Sequence, residues 1–238
     1  MNMLERLIAF NSSRHRLWQE NAAFAATVPR GAMLLDAGAG NAPYRGLFSH
    51  ASYESADFEL VEKPYGNTTY VCELTRLPVE DGRFDAIIFN QVMEHVSEPK
   101  LVLAELHRAL KPGGRMIYTG PLFYEEHEQP YDYYRYTQFG LRYLFGETGF
   151  SVERLDWLEG YFGTVAYQLN GMARYLPAAP RDLGGGVVGL LLSPVMMLLR
   201  VAFAGCSVLF HRLETRVKFQ ARGYPKNYVA VVTKPGGV

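Results

Sequence analysis

The chain has 238 residues, 48% hydrophobic and 20% charged, with 24 basic and 24 acidic side chains. That length and apolar share fit one sizeable α/β domain plus an elaboration and exclude a disordered or low-complexity chain. The zero net charge and lack of a Lys/Arg-rich block argue against nucleic acid as a partner, and two distant cysteines, Cys72 and Cys206, give neither a disulfide framework nor a metal pattern. A reducing, cytoplasmic setting is expected, since Leu7-Ile8-Ala9-Phe10 is too short for a secretory core.

Residues 1–27 read as one or two amphipathic helices, with Leu4, Leu7 and Ile8 on one face and Leu17, Trp18 and Phe24 further on. Pro29-Arg30-Gly31 ends that unit. Ala32–Leu35 is a short apolar strand that runs into Asp36 and a glycine-rich turn, and Pro43 suits the first turn of a following helix. Ser52–Asp57 and Thr69–Cys72 are the second and third strands. Phe84–Phe89, apolar on both faces, reads as a central parallel strand. A helix opens at Ser97 or Glu98 and runs to about Leu110, where Lys111-Pro112-Gly113-Gly114 stops it. Arg115–Thr119 is a fifth strand, Thr137 caps a helix ending near Gly149, Ser151–Leu158 is a sixth strand, and Asn227–Thr233 is the last. This alternation predicts an α/β, doubly wound, mostly parallel seven-stranded sheet, with residues 159–226 inserted before the last strand.

An apolar strand, an acid and a glycine turn bring backbone N–H groups close to a small ligand. Gly38 and Gly40 remove side chains that would block this approach. Asp57 follows Asp36 by 57 − 36 = 21 positions, about the spacing at which an acid meets ribose hydroxyls. A dinucleotide fingerprint wants Gly at position 43, and Pro43 counts against the alternative of a nicotinamide oxidoreductase or epimerase.

Leu34-Leu35-Asp36-Ala37-Gly38-Ala39-Gly40, Asp57, Cys72-Glu73-Leu74 before Leu77-Pro78, Phe84-Asp85, Glu94-His95-Val96 and Leu110-Lys111-Pro112-Gly113-Gly114 follow one another in a set order. In that order they resemble the class I S-adenosylmethionine-dependent methyltransferases over residues 30–158. The resemblance implies a Rossmann-like fold and a single domain over 1–238, its core being 30–158 plus 227–233. It also implies methyl transfer from S-adenosylmethionine, with S-adenosylhomocysteine as product. The implied cofactor contacts are Asp36, Gly38, Ala39, Gly40, Tyr44, Asp57, Phe58, Cys72, Glu73, Leu74, Asn90, Gln91 and Val92. The cofactor carboxylate is expected at a helix start near Asn41 to Tyr44, where free N–H groups favour negative charge. Its ammonium is expected at Asp36, and its adenine between Cys72 and Leu74, with Glu73 at the amino group. Position 42, often glycine in the family, is Ala here. No metal ion is expected.

The acceptor side is expected after the fifth strand, in a segment rich in aromatics and ionisable groups from Gly120 to Thr137. His127 is the candidate base with Asp132 or Glu126 to orient it, and His95 is a second candidate at the cleft. Tyr124, Tyr133 and Tyr136 offer aromatic faces to a sugar or flat ring, and Arg135 a grip for an anion. The run Pro130-Tyr131-Asp132-Tyr133-Tyr134-Arg135-Tyr136-Thr137 resembles methyltransferases of surface-glycan and lipid pathways, so the acceptor is expected to be a small molecule, a glycan or a lipid-linked intermediate, methylated on oxygen.

Val187 to Phe210 contains a single charge, Arg200, and a single proline, Pro194. A helical pair with residues 163–176 is expected, basic at its margins. Contact with the inner face of a membrane, a cover over the cleft, a homodimer contact and a non-catalytic docking role all remain open; Pro194 and Arg200 disfavour a true span.

Overall fold

The computed structural model describes residues 11–236, so the expectation for Leu4, Leu7 and Ile8 lies outside the described residues. The described residues group into two compact units. One is Arg16–Leu158 with the last strand; the other is Glu159–Lys226 with the residues up to His15.

The first unit is a seven-stranded sheet. Its strands are β1 (Met33–Ala37), β2 (Ser52–Asp57), β3 (Tyr70–Val71), β4 (Phe84–Asn90), β5 (Leu110–Pro121), β6 (Ser151–Trp157) and β7 (Asn227–Thr233), in the order β3-β2-β1-β4-β5-β7-β6. β1, β2, β3, β4 and β5 run parallel, and β7 lies antiparallel between β5 and β6. The strand order reverses at β1 and β4, so their C-terminal ends flank a crevice, where such sheets bind ligands.

Each face of the sheet is covered. On one side Leu35, Ile87, Phe89 and Met116 pack with Val102, Leu103 and Leu106 of helix α2 (Pro99–Ala109) and with Leu141 and Phe145 of helix α3 (Gln138–Glu147), the helix that Thr137 caps. On the other side Leu34, Ile88 and Ile117 meet Phe24 of helix α1 (Ser12–Ala25) and Phe48. Burying such side chains stabilises the fold by about 1.5–3 kcal/mol each before entropy is counted.

Two local expectations differ. The glycine turn leads into a four-residue 3-10 helix, Arg45–Phe48, in place of an α-helix. Ala42 takes a left-handed φ of 52°, so the turn closes where a third glycine would be easier. Lys111-Pro112-Gly113-Gly114 does end α2 at Ala109, but it lies inside β5, where Gly113 takes a left-handed φ of 78° and the register with β4 shifts.

In the second unit, helix α4 (Tyr161–Tyr175) packs on helix α5 (Gly186–Arg216), with a short 3-10 turn, Pro180–Leu183, between them. The buried residues of α5 are Gly189, Ser207, His211 and Glu214. Glu214 takes N–H bonds from Gly160 and Gly163, and Ser207 donates to the Ala166 carbonyl. The Arg200 guanidinium donates to the Ala173 carbonyl at 2.8 Å, at the end of α4 where carbonyls lack helical partners.

Candidate functional site

The C-terminal ends of β1, β2 and β4 open into a cleft lined by Gly38, Asp57, Phe58, Glu73, Gln91 and Val92, among others. Gly38 sits at φ 74° with Val92 directly against it; a Cβ added there would collide with both Val92 methyl groups. Asp57, at the end of β2, is buried. Its carboxylate accepts N–H bonds from Gly40 (2.8 Å) and Glu59 (3.2 Å), which fixes it at the cleft wall. Gln91 holds a left-handed φ of 56° just after β4, anchored by its N–H to the Thr119 carbonyl at 2.7 Å.

Leu74, His95 and Tyr133 also line the cleft. Six expected cofactor contacts lie off its lining. Asp36 is buried and receives the Tyr53 hydroxyl hydrogen bond. Burial pushes its carboxyl up to about 7, with the Tyr53 bond opposing and the Asp57 charge adding. Asn90 accepts from Thr119 at 2.8 Å and donates to Asn21 of α1 at 2.7 Å, so its amide ties strand to helix. Cys72 packs against the core, Tyr44 against the opposite core layer, and Ala39 and Gly40 form the turn itself.

The loop after β5 supplies the far wall. Tyr131 and Glu128 line the cleft, as does Lys63 from the loop after β2; sequence reasoning missed all three, and also Thr75 and Ser97. Lys63 pairs with Glu128 at 2.8 Å, and Tyr131 packs edge-on to Phe58 with ring centroids 5.5 Å apart. Arg135 grips both oxygens of Asp132 (2.6 and 2.8 Å) and donates to the Glu125 carbonyl, so its charge is committed inside the loop. That pairing holds Asp132 well below the usual carboxylate range. Tyr136 is buried with its hydroxyl on the Met93 carbonyl.

His127 lies beside both Tyr124 and His95, with ring centroids 4.9 and 4.6 Å away. Its backbone N–H donates to Asp132, while its Nδ1 is nearer the Glu125 carbonyl (3.1 Å) than Asp132 Oδ2 (3.4 Å). His95 Nδ1 lies 2.6 Å from the Tyr131 carbonyl, an acceptor only, so Nδ1 carries the proton and Nε2 a lone pair. Burial lowers the His95 pKa, keeping the ring neutral near pH 7. Its neighbour Glu94 is fully buried with no hydrogen-bond partner on either carboxylate oxygen, and burial pushes it up to about 8.

Residues 35–118 match the family model for a methyltransferase domain. A tRNA (carboxymethyluridine(34)-5-O)-methyltransferase of Arabidopsis thaliana is 33% identical over 117 residues, 46% of this chain and 29% of that protein. A ubiquinone/menaquinone biosynthesis C-methyltransferase of Photorhabdus laumondii is 29% identical over 129 residues, 46% of this chain and 51% of that protein. The chain thus spans less than a third of the first relative and about half of the second. Among solved structures, a sarcosine dimethylglycine methyltransferase from Galdieria sulphuraria aligns with a TM-score of 0.55 at 17% identity, over 94% of this chain and 86% of that one, a likeness of fold. The tRNA-methylating relatives overturn the exclusion of nucleic acid read from composition: charge averaged over a whole chain does not report the charge of the face that meets an acceptor. Residues 35–118 thus carry a methyltransferase domain by family model, and the strand order and the likeness of fold around them agree with that domain.

Proposed function

We propose that this chain transfers a methyl group from S-adenosylmethionine to an oxygen acceptor that enters beside His95 and Tyr133. The observation that carries the reading is the pairing, in one cleft, of a glycine that tolerates no side chain and a fixed carboxylate 19 positions on (57 − 38). The cofactor, when bound, supplies a sulfonium methyl; the new O–CH₃ bond forms as the C–S bond breaks and its electron pair returns to sulfur. This chain's residues bind and orient. Asp57 keeps lone pairs for ribose hydroxyls beyond the two N–H bonds it already accepts. Glu73, Leu74 and Thr75 border the adenine end. Asp36 is a buried acid that a bound ammonium would return to its ionised form. The unprotonated Nε2 of His95 is suited to take the acceptor proton. The 5-O position named for the tRNA-methylating relatives supports oxygen as the acceptor atom.

A second observation supports a peripheral place at the cytoplasmic surface of a membrane, with a lipid-linked acceptor. Helix α5 has 31 residues, about 46 Å of helix, and only 6% of its most apolar stretch is buried. Val187, Leu191, Leu198 and Val201 are each more than two-thirds exposed. The exposed apolar surface from Val187 to Leu209 is costly in water and finds its counterpart in a bilayer interface. Arg174, Arg181, Arg212, Arg216 and Lys218 at its margins suit anionic headgroups.

Transfer of labelled methyl from S-adenosylmethionine to a lipid extract, a glycan fraction and total RNA tests the first reading. Label in the lipid fraction is expected. Label in RNA alone would assign a nucleic-acid acceptor, and no affinity for S-adenosylhomocysteine in calorimetry would overturn the cofactor assignment. The membrane reading predicts that the full chain floats with phosphatidylglycerol-containing vesicles and that Leu191→Glu with Leu198→Glu does not. Equal flotation of both, or of neither, would remove it.

A further inference from the structure

We propose that Glu94, His95 and His127 form a binding site for a divalent first-row transition metal ion at the acceptor side of the cleft. One ligand atom from each of the three lies within 4.8 Å of the other two, a spacing that a single ion bridges after small rotamer changes. Two imidazoles and one carboxylate, with positions left open, suit Zn²⁺, Mn²⁺, Fe²⁺ or Co²⁺ in place of Mg²⁺ or Ca²⁺, which prefer all-oxygen sets.

The independent mark of a missing ligand is Glu94. Its side chain is fully buried, and neither carboxylate oxygen has a hydrogen-bond partner. Among the described residues it is the one carboxylate in that condition. Leaving an acid in this state costs free energy unless a cation meets it. Arg135 does not serve, because Asp132 takes both of its terminal nitrogens. His95 Nε2, 3.9 Å from Glu94 Oε1, is the nearest group of opposite character.

The surroundings are arranged as the outer contacts of a metal site usually are. His95 gives its Nδ1 proton to the Tyr131 carbonyl, which fixes the ring and leaves Nε2 for an ion. His127 Nδ1 lies 3.1 Å from the Glu125 carbonyl, which in the same way leaves its Nε2 available. Arg135 and Asp132 hold the loop that carries His127.

The inference deepens the methyl-transfer reading and rests on it for its role; with the ion bound, His95 Nε2 is a ligand, and the ion replaces the imidazole lone pair in activating the acceptor. His95 also lines the cofactor cleft, so an ion there would sit where the acceptor enters. A hydroxyl or carboxyl oxygen bound to it would lose its proton to solvent at neutral pH and become the nucleophile. The C–S electron pair then returns to sulfur as above. The ion is neither consumed nor changed in oxidation state.

The test uses the full chain, stripped with chelator and titrated with Co²⁺. One equivalent is expected to bind with visible ligand-field absorption, and Zn²⁺ to displace it. His127→Ala, at a partly exposed loop position, and Glu94→Gln should each weaken binding by about 100-fold or more. Absence of stoichiometric Co²⁺ binding, or unchanged binding in both variants, overturns the site. S-adenosylhomocysteine affinity, measured on the same samples, separates the two readings: cofactor binding without metal leaves methyl transfer standing, and metal without cofactor binding leaves only the ion site.

Discussion

The two walls of the cleft differ in how completely their polar groups are partnered. On the glycine-turn wall, Asp57 holds two backbone N–H groups, and off the lining Asp36 holds the Tyr53 hydroxyl. On the wall built by the 3-10 turn at Met93–His95 and the loop after β5, the scaffold is tied as firmly, through Arg135, Asp132 and the Tyr131 carbonyl. Yet the Glu94 carboxyl, at its centre, has no hydrogen-bond partner on either oxygen. The first wall is organised before a ligand arrives, which limits the ordering cost of binding. The second keeps a buried group unsatisfied, a condition that native structures hold mostly at functional sites.

The largest expected effect lies on the organised wall. Gly38→Ala forces a side chain into Val92 at a left-handed φ, and should weaken S-adenosylhomocysteine binding by at least ~100-fold and stability by about 1–3 kcal/mol. Calorimetry and thermal denaturation read both; full affinity would show that Val92 can yield and that this wall is less rigid than described.

Next is Asp36, whose folded-state carboxyl titrates at about 7 against an ordinary 3.8. The folded protein therefore holds a proton that the unfolded chain has already lost between those values. Stability from this group is fully present below about pH 4 and is lost as pH rises through 7, by on the order of 2–4 kcal/mol. Asp36→Asn should remove that slope, seen as a variant-minus-parent difference in urea midpoints across this range. Cofactor binding near neutral pH should release protons, visible as a buffer-dependent enthalpy; a buffer-independent enthalpy would detach Asp36 from the ligand.

Asp57→Ala should weaken S-adenosylhomocysteine by about 1–3 kcal/mol per lost bond while the fold persists. An equal loss of stability without loss of affinity would make Asp57 only a clamp for the Gly40 turn. The smallest effect is expected on the other wall. Arg135→Lys exchanges a two-pronged grip on Asp132 for one, at a cost of about 1 kcal/mol, with faster amide exchange over residues 124–136 and cofactor affinity unchanged. Affinity that falls with it would mean the two walls are coupled.

Much of the first wall was legible in the sequence. β2 and β7 have the bounds expected from the sequence. Gly38, Asp57, Glu73 and Val92 meet in one cleft because a parallel sheet brings consecutive strand ends to one edge. Asn90 and Cys72 are neighbours of cleft residues, but strand alternation and local twist turn their side chains into the fold. Lys63 and Glu128 are 65 positions apart, and nothing local in either stretch signals that they meet. Glu94 read as one half of a Glu-His pair; that it would be fully buried depends on the loop that closes over it, with the N–H groups of Tyr133 and Tyr134 on its carbonyl. The antiparallel place of β7 likewise depends on where the chain returns after residues 159–226, which periodicity does not encode.

The Lys63–Glu128 pair links the β2 loop to the β5 loop over the cleft, each side chain about 30% exposed. Such a tie is a strap fastened by one hydrogen-bonded ion pair and open to screening. Raising ionic strength is therefore expected to speed ligand exchange in both directions while the dissociation constant barely moves, so that salt acts on the traffic through the mouth and not on the depth of the well beneath it.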